Sequence, residues 1–227
     1  NMNKTIHQIY GIFNDGILLE KIPNYRDNVK ATQEFCKTHG IEYKMWGLEE
    51  CNELVNKEFP KYVDLWNSFR YPIQKADFIR YCILYTFGGL YIDCDIRPAN
   101  NLDEVFKNNL FFVHWSNDIK KLPYNAVMSA HKGQIIFLDI IKECERSYLE
   151  KSKMEVYDSW KGRFIFQTTG HHMLERVMKA QKINKNKYFH DCLYVDNPDK
   201  KGMSAIGEIN KALFLDSNAS VWYENLV

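Results

Sequence analysis

Asp93 and Asp95 stand two residues apart at the end of the apolar run Leu90-Tyr91-Ile92, and Asp77 and Arg80 precede them at a spacing of three. In an extended segment, alternation sends Tyr91, Asp93 and Asp95 to one side and Leu90, Ile92 and Cys94 to the other, which leaves two carboxylates about 7 Å apart on one face. Two ionised carboxylates that close repel each other unless a positive charge offsets them. Oxygen-only ligands suit Mn²⁺ or Mg²⁺, ions that complete their shells with water and phosphate oxygens. The chemistry on offer is the holding of a nucleotide diphosphate by a cation that stabilises it as a leaving group. Taken alone, an Asp-x-Asp triplet more often ends a strand in a solvated turn, so the elements around it decide its meaning.

Those elements are a helix, a stop and a strand in direct succession. Pro72 suits a first helical turn and Gly88-Gly89 a left-handed exit, so a helix is predicted from Ile73 to Phe87, followed by a strand over 90–95. Asp77, Arg80, Tyr81 and Leu84 fall at i, i+3, i+4 and i+7, an unusual stripe for a core helix. Upstream, Ile6 to Phe13 reads as a strand ending at Asn14-Asp15-Gly16, Tyr25 to His39 as a helix ending at Gly40, and Ile41 to Trp46 as a second strand. This βαβ beginning predicts an α/β fold with a mostly parallel central sheet flanked by helices, and ligands in such sheets gather at the carboxyl ends of strands. Further along, short helices are expected at Glu49 to Asn56, Lys61 to Phe69 and Leu102 to Asn108, with Trp66 and Phe69 in the core. Strands are expected at Leu110 to Trp115 and Asn125 to Ala130, and near Val195 and Phe214. A helix from Gln134 to Leu149 should bury Ile135, Leu138, Ile141 and Cys144.

The 227 residues suffice for one domain, 1–227, and 45% apolar with 15% aromatic content predicts a packed core. A net charge of +1 gives no electrostatic support to nucleic-acid binding. Six cysteines without C-x-x-C pairs or histidines at zinc spacing predict buried thiols in a reducing compartment. No apolar run is long enough to span a membrane. Reading Asn1 as a remnant before a natural start at Met2 removes an amino-terminal anchor and favours a bacterial, cytoplasmic enzyme, peripheral at most to the inner face of the membrane. The excess of Lys and Asn over Arg points the same way, towards an AT-rich genome.

The run Gln74-Lys75-Ala76-Asp77-Phe78-Ile79-Arg80-Tyr81, followed by Tyr85-x-x-Gly88-Gly89-x-Tyr91-x-Asp93-x-Asp95, resembles the signature of glycosyltransferases with the Asp-x-Asp sugar-binding region. That group includes Och1-like mannosyltransferases, capsule and lipooligosaccharide transferases, and the catalytic domains of clostridial glucosylating toxins. The resemblance extends to Ile6-His7-Gln8-Ile9-Tyr10, to Tyr43-Lys44-x-Trp46, to Asn125-Ala126-Val127-Met128, to Thr169-Gly170 with His171 in the place of a usual proline, and to Ser220-Val221-Trp222. It implies a GT-A-like fold, a nucleotide-sugar donor, a divalent metal and retention of configuration. It implies roles as well: Asp95 as direct metal ligand, Asp93 at metal-bound water, ribose or the ion, and Ser220 with Asn218 or Asp216 completing the metal site. Asp77 would hold sugar hydroxyls, Arg80 would bridge sugar and phosphate, and Asn125 would contact the donor sugar. Tyr10 and Tyr91 join the substrate-binding set, Tyr10 either stacking on the base or simply packing, and Trp222 would cap the leaving diphosphate. Phosphatases of the haloacid-dehalogenase type also carry Asp-x-Asp, but they need Thr two residues on, where this chain has Arg97.

The expected activity is transfer of a hexose from a UDP-sugar, with GDP as runner-up base, to a saccharide or glycolipid hydroxyl in polysaccharide or glycolipid assembly. Two alternatives stand beside it: a nucleotide-sugar-binding protein without transfer activity, and a toxin that glycosylates protein. Same-face attack and double displacement are both open. Lys179 to Lys187 reads as a solvated face or, alternatively, as a contact for an anionic membrane or acceptor.

Overall fold

The computed structural model describes residues 4–114, 121–200 and 204–219. The chain opens with β1 (Thr5–Ile9), α1 (Pro23–His39) and β2 (Glu42–Trp46), then runs through α2 (Leu48–Glu58), α3 (Val63–Ser68) and α4 (Pro72–Phe87) into β3 (Gly89–Ile92). There follow β4 (Ile96–Pro98), α5 (Asp103–Lys107), β5 (Leu110–His114), β6 (Pro123–Ala130), α6 (Ile135–Lys151), α7 (Val156–Ser159), α8 (Lys161–Thr168) and α9 (His171–Ala180). The last elements are α10 (Lys185–Tyr188), β7 (Phe189–His190), β8 (Leu193–Val195) and β9 (Phe214–Asp216). A six-stranded sheet has the order β2-β1-β3-β6-β5-β7, in which only β6 runs against its neighbours, and a three-stranded sheet has the order β4-β9-β8. This is the α/β architecture with a mainly parallel central sheet and flanking helices that the βαβ opening predicts.

The alternation read in β3 holds where the strand lasts. Leu90 and Ile92 pack with Cys36, Val105, Phe106 and Phe214 on one face, and Tyr91 packs on the other with α4 and α6. Helix α4 begins with Pro72 in its first turn and is further fixed by Gln74, whose side chain accepts from the Tyr71 N–H at 3.1 Å and donates to Thr168 Oγ1 at 2.9 Å. Its end is tight: Gly88 and Gly89 have φ of +67° and +95°, and a Cβ on Gly89 would lie 2.6 Å from the carbonyl oxygen of Thr5. His7 completes the junction, donating from Nε2 to the Gly88 carbonyl at 2.9 Å and accepting the Trp46 indole N–H on Nδ1 at 3.2 Å.

Some expected boundaries are corrected. Strand β1 ends at Ile9 rather than Phe13, because Gly11 takes φ +91° and turns the chain, so Tyr10 lies beyond the strand. Strand β3 ends at Ile92, and Asp93 to Asp95 form a turn closed by the Ile96 N–H on the Asp93 carbonyl at 3.0 Å. The turn hands the chain from the large sheet to the small one, which explains why the strand period does not carry through the aspartates. Ile135, expected inside, is 63% exposed at the first residue of α6, whereas Ile141 and Cys144 are buried. Trp66 and Phe69 are core residues as predicted. Arg97, two residues after Asp95, donates to Asn28 Oδ1 at 2.9 Å and pairs with Asp196 at 3.5 Å. Trp115 lies outside the described residues.

Candidate active site at the carboxyl ends of β1 and β3

Arg80 organises the site. Its guanidinium donates to Asp93 Oδ1 and to the Asn125 carbonyl, both at 2.9 Å, lies 3.4 Å from Asp77 Oδ1, and rests 4.6 Å above the Tyr91 ring. Burial opposes its charge, but Asp93, Tyr91 and Asp77 outweigh that and push its pKa up, so it stays a cation. Asp77 is held on both oxygens: Asn125 donates to Oδ1 at 3.0 Å and Thr169 Oγ1 to Oδ2 at 2.9 Å. Burial still pushes the Asp77 carboxyl up to about 6 against the pull of Arg80. The Tyr91 hydroxyl donates to Asp93 Oδ1 at 2.6 Å, while the Gln8 amide, itself held by Tyr43, donates to the Asp93 carbonyl at 3.2 Å.

Asp95 reaches the same cavity from the turn. Its Oδ2 accepts the Ala219 N–H at 2.9 Å, and its carbonyl accepts from the Ser217 N–H at 3.0 Å and hydroxyl at 2.7 Å. Beneath it Asp216 is fully buried, accepting from the Asn218 N–H at 2.7 Å and the Tyr124 hydroxyl at 3.0 Å. Burial, Asp216 and Asp93 push the Asp95 carboxyl well above the usual carboxylate range, and burial raises Asp216 to about 7.

Asp77, Arg80, Tyr91, Asp93, Asp95, Asn125, Tyr10 and Asn218 thus border one cavity of about 320 Å³. The acidic pair and the charged side of α4 share a chamber, as the sequence requires. Tyr91 is nearly sealed beneath Asp93 and acts there as a support. Asn218 is turned towards Lys200, whose ammonium donates to its side-chain oxygen at 2.8 Å. Ser220 and Trp222 lie outside the described residues. Tyr10 borders the cavity with its hydroxyl donating to the Ile17 carbonyl at 2.6 Å, and its ring meets that of Tyr25 edge-on at 6.2 Å.

The donor set fits a hard divalent cation. Asp93 Oδ2 and Asp95 Oδ1 have no side-chain partner among the described residues, and both carboxylates border the cavity beside a third, buried one, Asp216. Among the described residues no group of three or more His, Cys, Asp or Glu side chains is placed to hold a metal ion by itself.

Three contributors were not foreseen, and a fourth, Asp216, was read only in part. Tyr25, in the first turns of α1, borders the cavity, and Tyr124 ties Asp216; both are aromatic residues that sequence pattern cannot separate from core. Thr169 was noticed only as the start of a motif, although it fixes Asp77. Asp216 was read as an optional ligand, and its burial between Tyr124 and Asn218 has no sequence signal.

Residues 19–112 match the family model described as "Glycosyltransferase sugar-binding region containing DXD motif". The chain is 29% identical over 221 residues to mannosyl phosphorylinositol ceramide synthase CSH1 of Saccharomyces cerevisiae, covering 97% of this chain and 52% of that protein. It is 35% identical over 102 residues to mannosyl phosphorylinositol ceramide synthase SUR1 of the same yeast, covering 44% of this chain and 24% of that one. The chain therefore spans about half the length of the first relative and about a quarter of the second. Among solved structures, PaToxG glycosyltransferase superposes with a TM-score of 0.49 at 12% identity, covering 82% of this chain and 72% of that one. The helix that carries Asp77 and Arg80 and the turn that carries Asp93 and Asp95 both fall inside the matched stretch, so over residues 19–112 the chain is similar to the glycosyltransferases with a DXD-containing sugar-binding region.

Proposed function

We propose that this chain, residues 1–227 folding as a single domain, is a retaining glycosyltransferase that moves a hexose from a nucleotide-diphosphate sugar to the hydroxyl of a saccharide or glycolipid acceptor. The observation that carries the reading is Arg80 bonded to Asp93 and paired with Asp77 in the cavity that Asp95 also borders. Breaking the anomeric bond leaves negative charge on a diphosphate, and a buried permanent cation beside that position stabilises it as it develops. Asp77, locked by Asn125 and Thr169, is oriented to accept hydrogen bonds from sugar hydroxyls. Mn²⁺ or Mg²⁺ bound by Asp95 and Asp93, with Asn218 and Ser220 as further ligands, would supply the remaining charge neutralisation. A role for Asn218 requires that it give up its bond from Lys200.

Relatives named mannosyl phosphorylinositol ceramide synthases support weighing a mannose donor, GDP-mannose, beside the UDP-hexoses favoured by the sequence. Calorimetric titration with UDP-glucose, UDP-galactose and GDP-mannose, each with Mn²⁺, tests the assignment. Metal-dependent binding is expected for the wild type and none for Asp95→Ala at unchanged circular dichroism; equal affinity in the variant would overturn the site. A binding protein without transfer activity would bind the donor yet never hydrolyse it, whereas slow donor hydrolysis without acceptor is expected here. No helix among the described residues is long and apolar enough to cross a membrane, so contact with a lipid surface would be peripheral for this part of the chain. A bacterial, cytoplasmic setting in polysaccharide assembly belongs to the same proposal, and gene neighbours encoding polysaccharide assembly rather than toxin delivery would support it.

A further inference from the structure

The lining of the cavity is of two kinds. Asp77, Arg80, Asp93, Asp95 and Asn125 are charged or polar, and Ile12, Phe13, Ile73, Ile165, Phe166 and His171 make up an apolar and aromatic part. None of the second set carries a fixed charge, and burial together with His172 lowers the His171 pKa to about 4, so its imidazole is neutral at pH 7. Ile165 is buried while Phe166 and His171 stand half-buried at the opening, their rings 4.5 Å apart.

The α8–α9 part of this lining is tied to the charged groups of α4. Thr169 at the corner between α8 and α9 donates to Asp77, and its carbonyl accepts the Tyr81 hydroxyl at 2.6 Å. Gly170 lets the corner close, because a Cβ there would stand 3.0 Å from the Phe166 Cα. The corner therefore presents Phe166 and His171 in fixed register with the carboxylate proposed to hold the sugar.

We infer that the α8–α9 corner, with Ile73 one turn before Asp77 on α4, is the acceptor subsite, and that it selects an amphiphilic acceptor: a hydroxyl-bearing head met by His171, joined to an alkyl or aryl portion that lies on Ile73, Ile165 and Phe166. This rests on the transferase reading above. A purely polar glycan would leave its hydroxyls unpaired against three hydrocarbon side chains, which costs binding, whereas an apolar portion is drawn there by loss of its own water. Amphiphilic ligands divide in the same way between an apolar body and a few placed polar groups.

The test separates this inference from its premise. Donor hydrolysis without acceptor is measured first, and its absence would sink the transferase reading itself. Transfer is then measured to methyl and octyl hexosides of the same sugar, the latter below its micelle concentration. A KM at least tenfold lower for the octyl compound is expected, since burying about two methylene groups supplies that factor. Phe166→Ser should erase most of the preference, and His171→Ala should raise KM for both hexosides in the same proportion. Titration of the protein, loaded with UDP and Mn²⁺, against the two hexosides gives the same ordering without turnover. Equal KM and equal affinity for the methyl and octyl compounds in the wild type would overturn the inference and reduce Phe166 to a sugar platform.

Discussion

At the residue scale, the side chain on which the site depends is Arg80, buried with bonds to two carboxylates and a carbonyl. Removing one partner of a buried ion pair strands the other, at a typical cost of about 3–5 kcal/mol. Arg80→Ala is therefore expected to destabilise the fold by an amount in that range in urea unfolding. Most of the loss should trace to Asp77, which is buried, rather than to Asp93, whose side chain is 30% exposed. The double variant Asp77→Asn, Arg80→Ala should lose clearly less than the sum of the single changes, and strict additivity would show that the two do not share an energy. Sequence revealed this quartet because charge at helical spacing next to an Asp-x-Asp triplet is rare enough to stand out. It did not reveal Thr169, Tyr25 or Tyr124, whose residue types are as common in ordinary cores and loops as in sites, and whose place follows only from tertiary contact.

At the element scale, the α4–β3 junction sets where the charged groups meet. Gly89→Ala is expected to cost at least about 2 kcal/mol, because the new Cβ meets the Thr5 carbonyl on β1 at a φ that side chains avoid. Urea unfolding measures it, and a neutral result would mean the junction relaxes freely. His7 couples the same junction to pH. Burial first, only partly offset by its bond to the Gly88 carbonyl, lowers its pKa from 6.5 to about 4. A base depressed in the folded state contributes stability that is complete above pH 6.5 and is lost as the pH falls towards 4, here about 3 kcal/mol. Unfolding series at pH 7, 5.5 and 4 should show that slope in the wild type and a shallower one in His7→Gln. Helices bounded by proline and glycine, such as α1 and α4, were legible because their stops are chemical. The ends of β1 and β3 were not, since each strand is cut by a turn whose partner, Gly11 at positive φ or the small β4-β9-β8 sheet, lies outside the alternating run. Ile135 was misplaced for a related reason: helical period gives a face but does not say that the first residue of α6 projects beyond the core.

At the scale of the whole molecule, all six cysteines are buried free thiols, five of them in the two apolar clusters of the core and Cys94 in the turn after β3. Burial raises every one of them, Cys36 to about 11, Cys51 and Cys192 to about 12, and Cys82, Cys94 and Cys144 further, so thiolate is scarce in the folded state. Cys94 sits between the two site aspartates and borders the cavity, but it is only 5% exposed and its thiol donates to the Ile9 carbonyl at 3.2 Å. Reaction with a disulfide reagent should accordingly be slow for the native chain and should follow the population of opened molecules rather than reagent access. Anything that binds only the folded state lowers that population: ligand at 100 times its Kd adds about 2.7 kcal/mol, equivalent to about a hundredfold slowing of reaction that proceeds through global unfolding. Donor with Mn²⁺ is therefore expected to protect all six thiols together if they are exposed only when the sheet comes apart. Protection of Cys94 alone would show instead that its thiol is reached from the cavity that the donor fills. Modification unaffected by donor and metal, in a protein otherwise shown to be folded, would count against any donor seated above the Asp93–Asp95 turn.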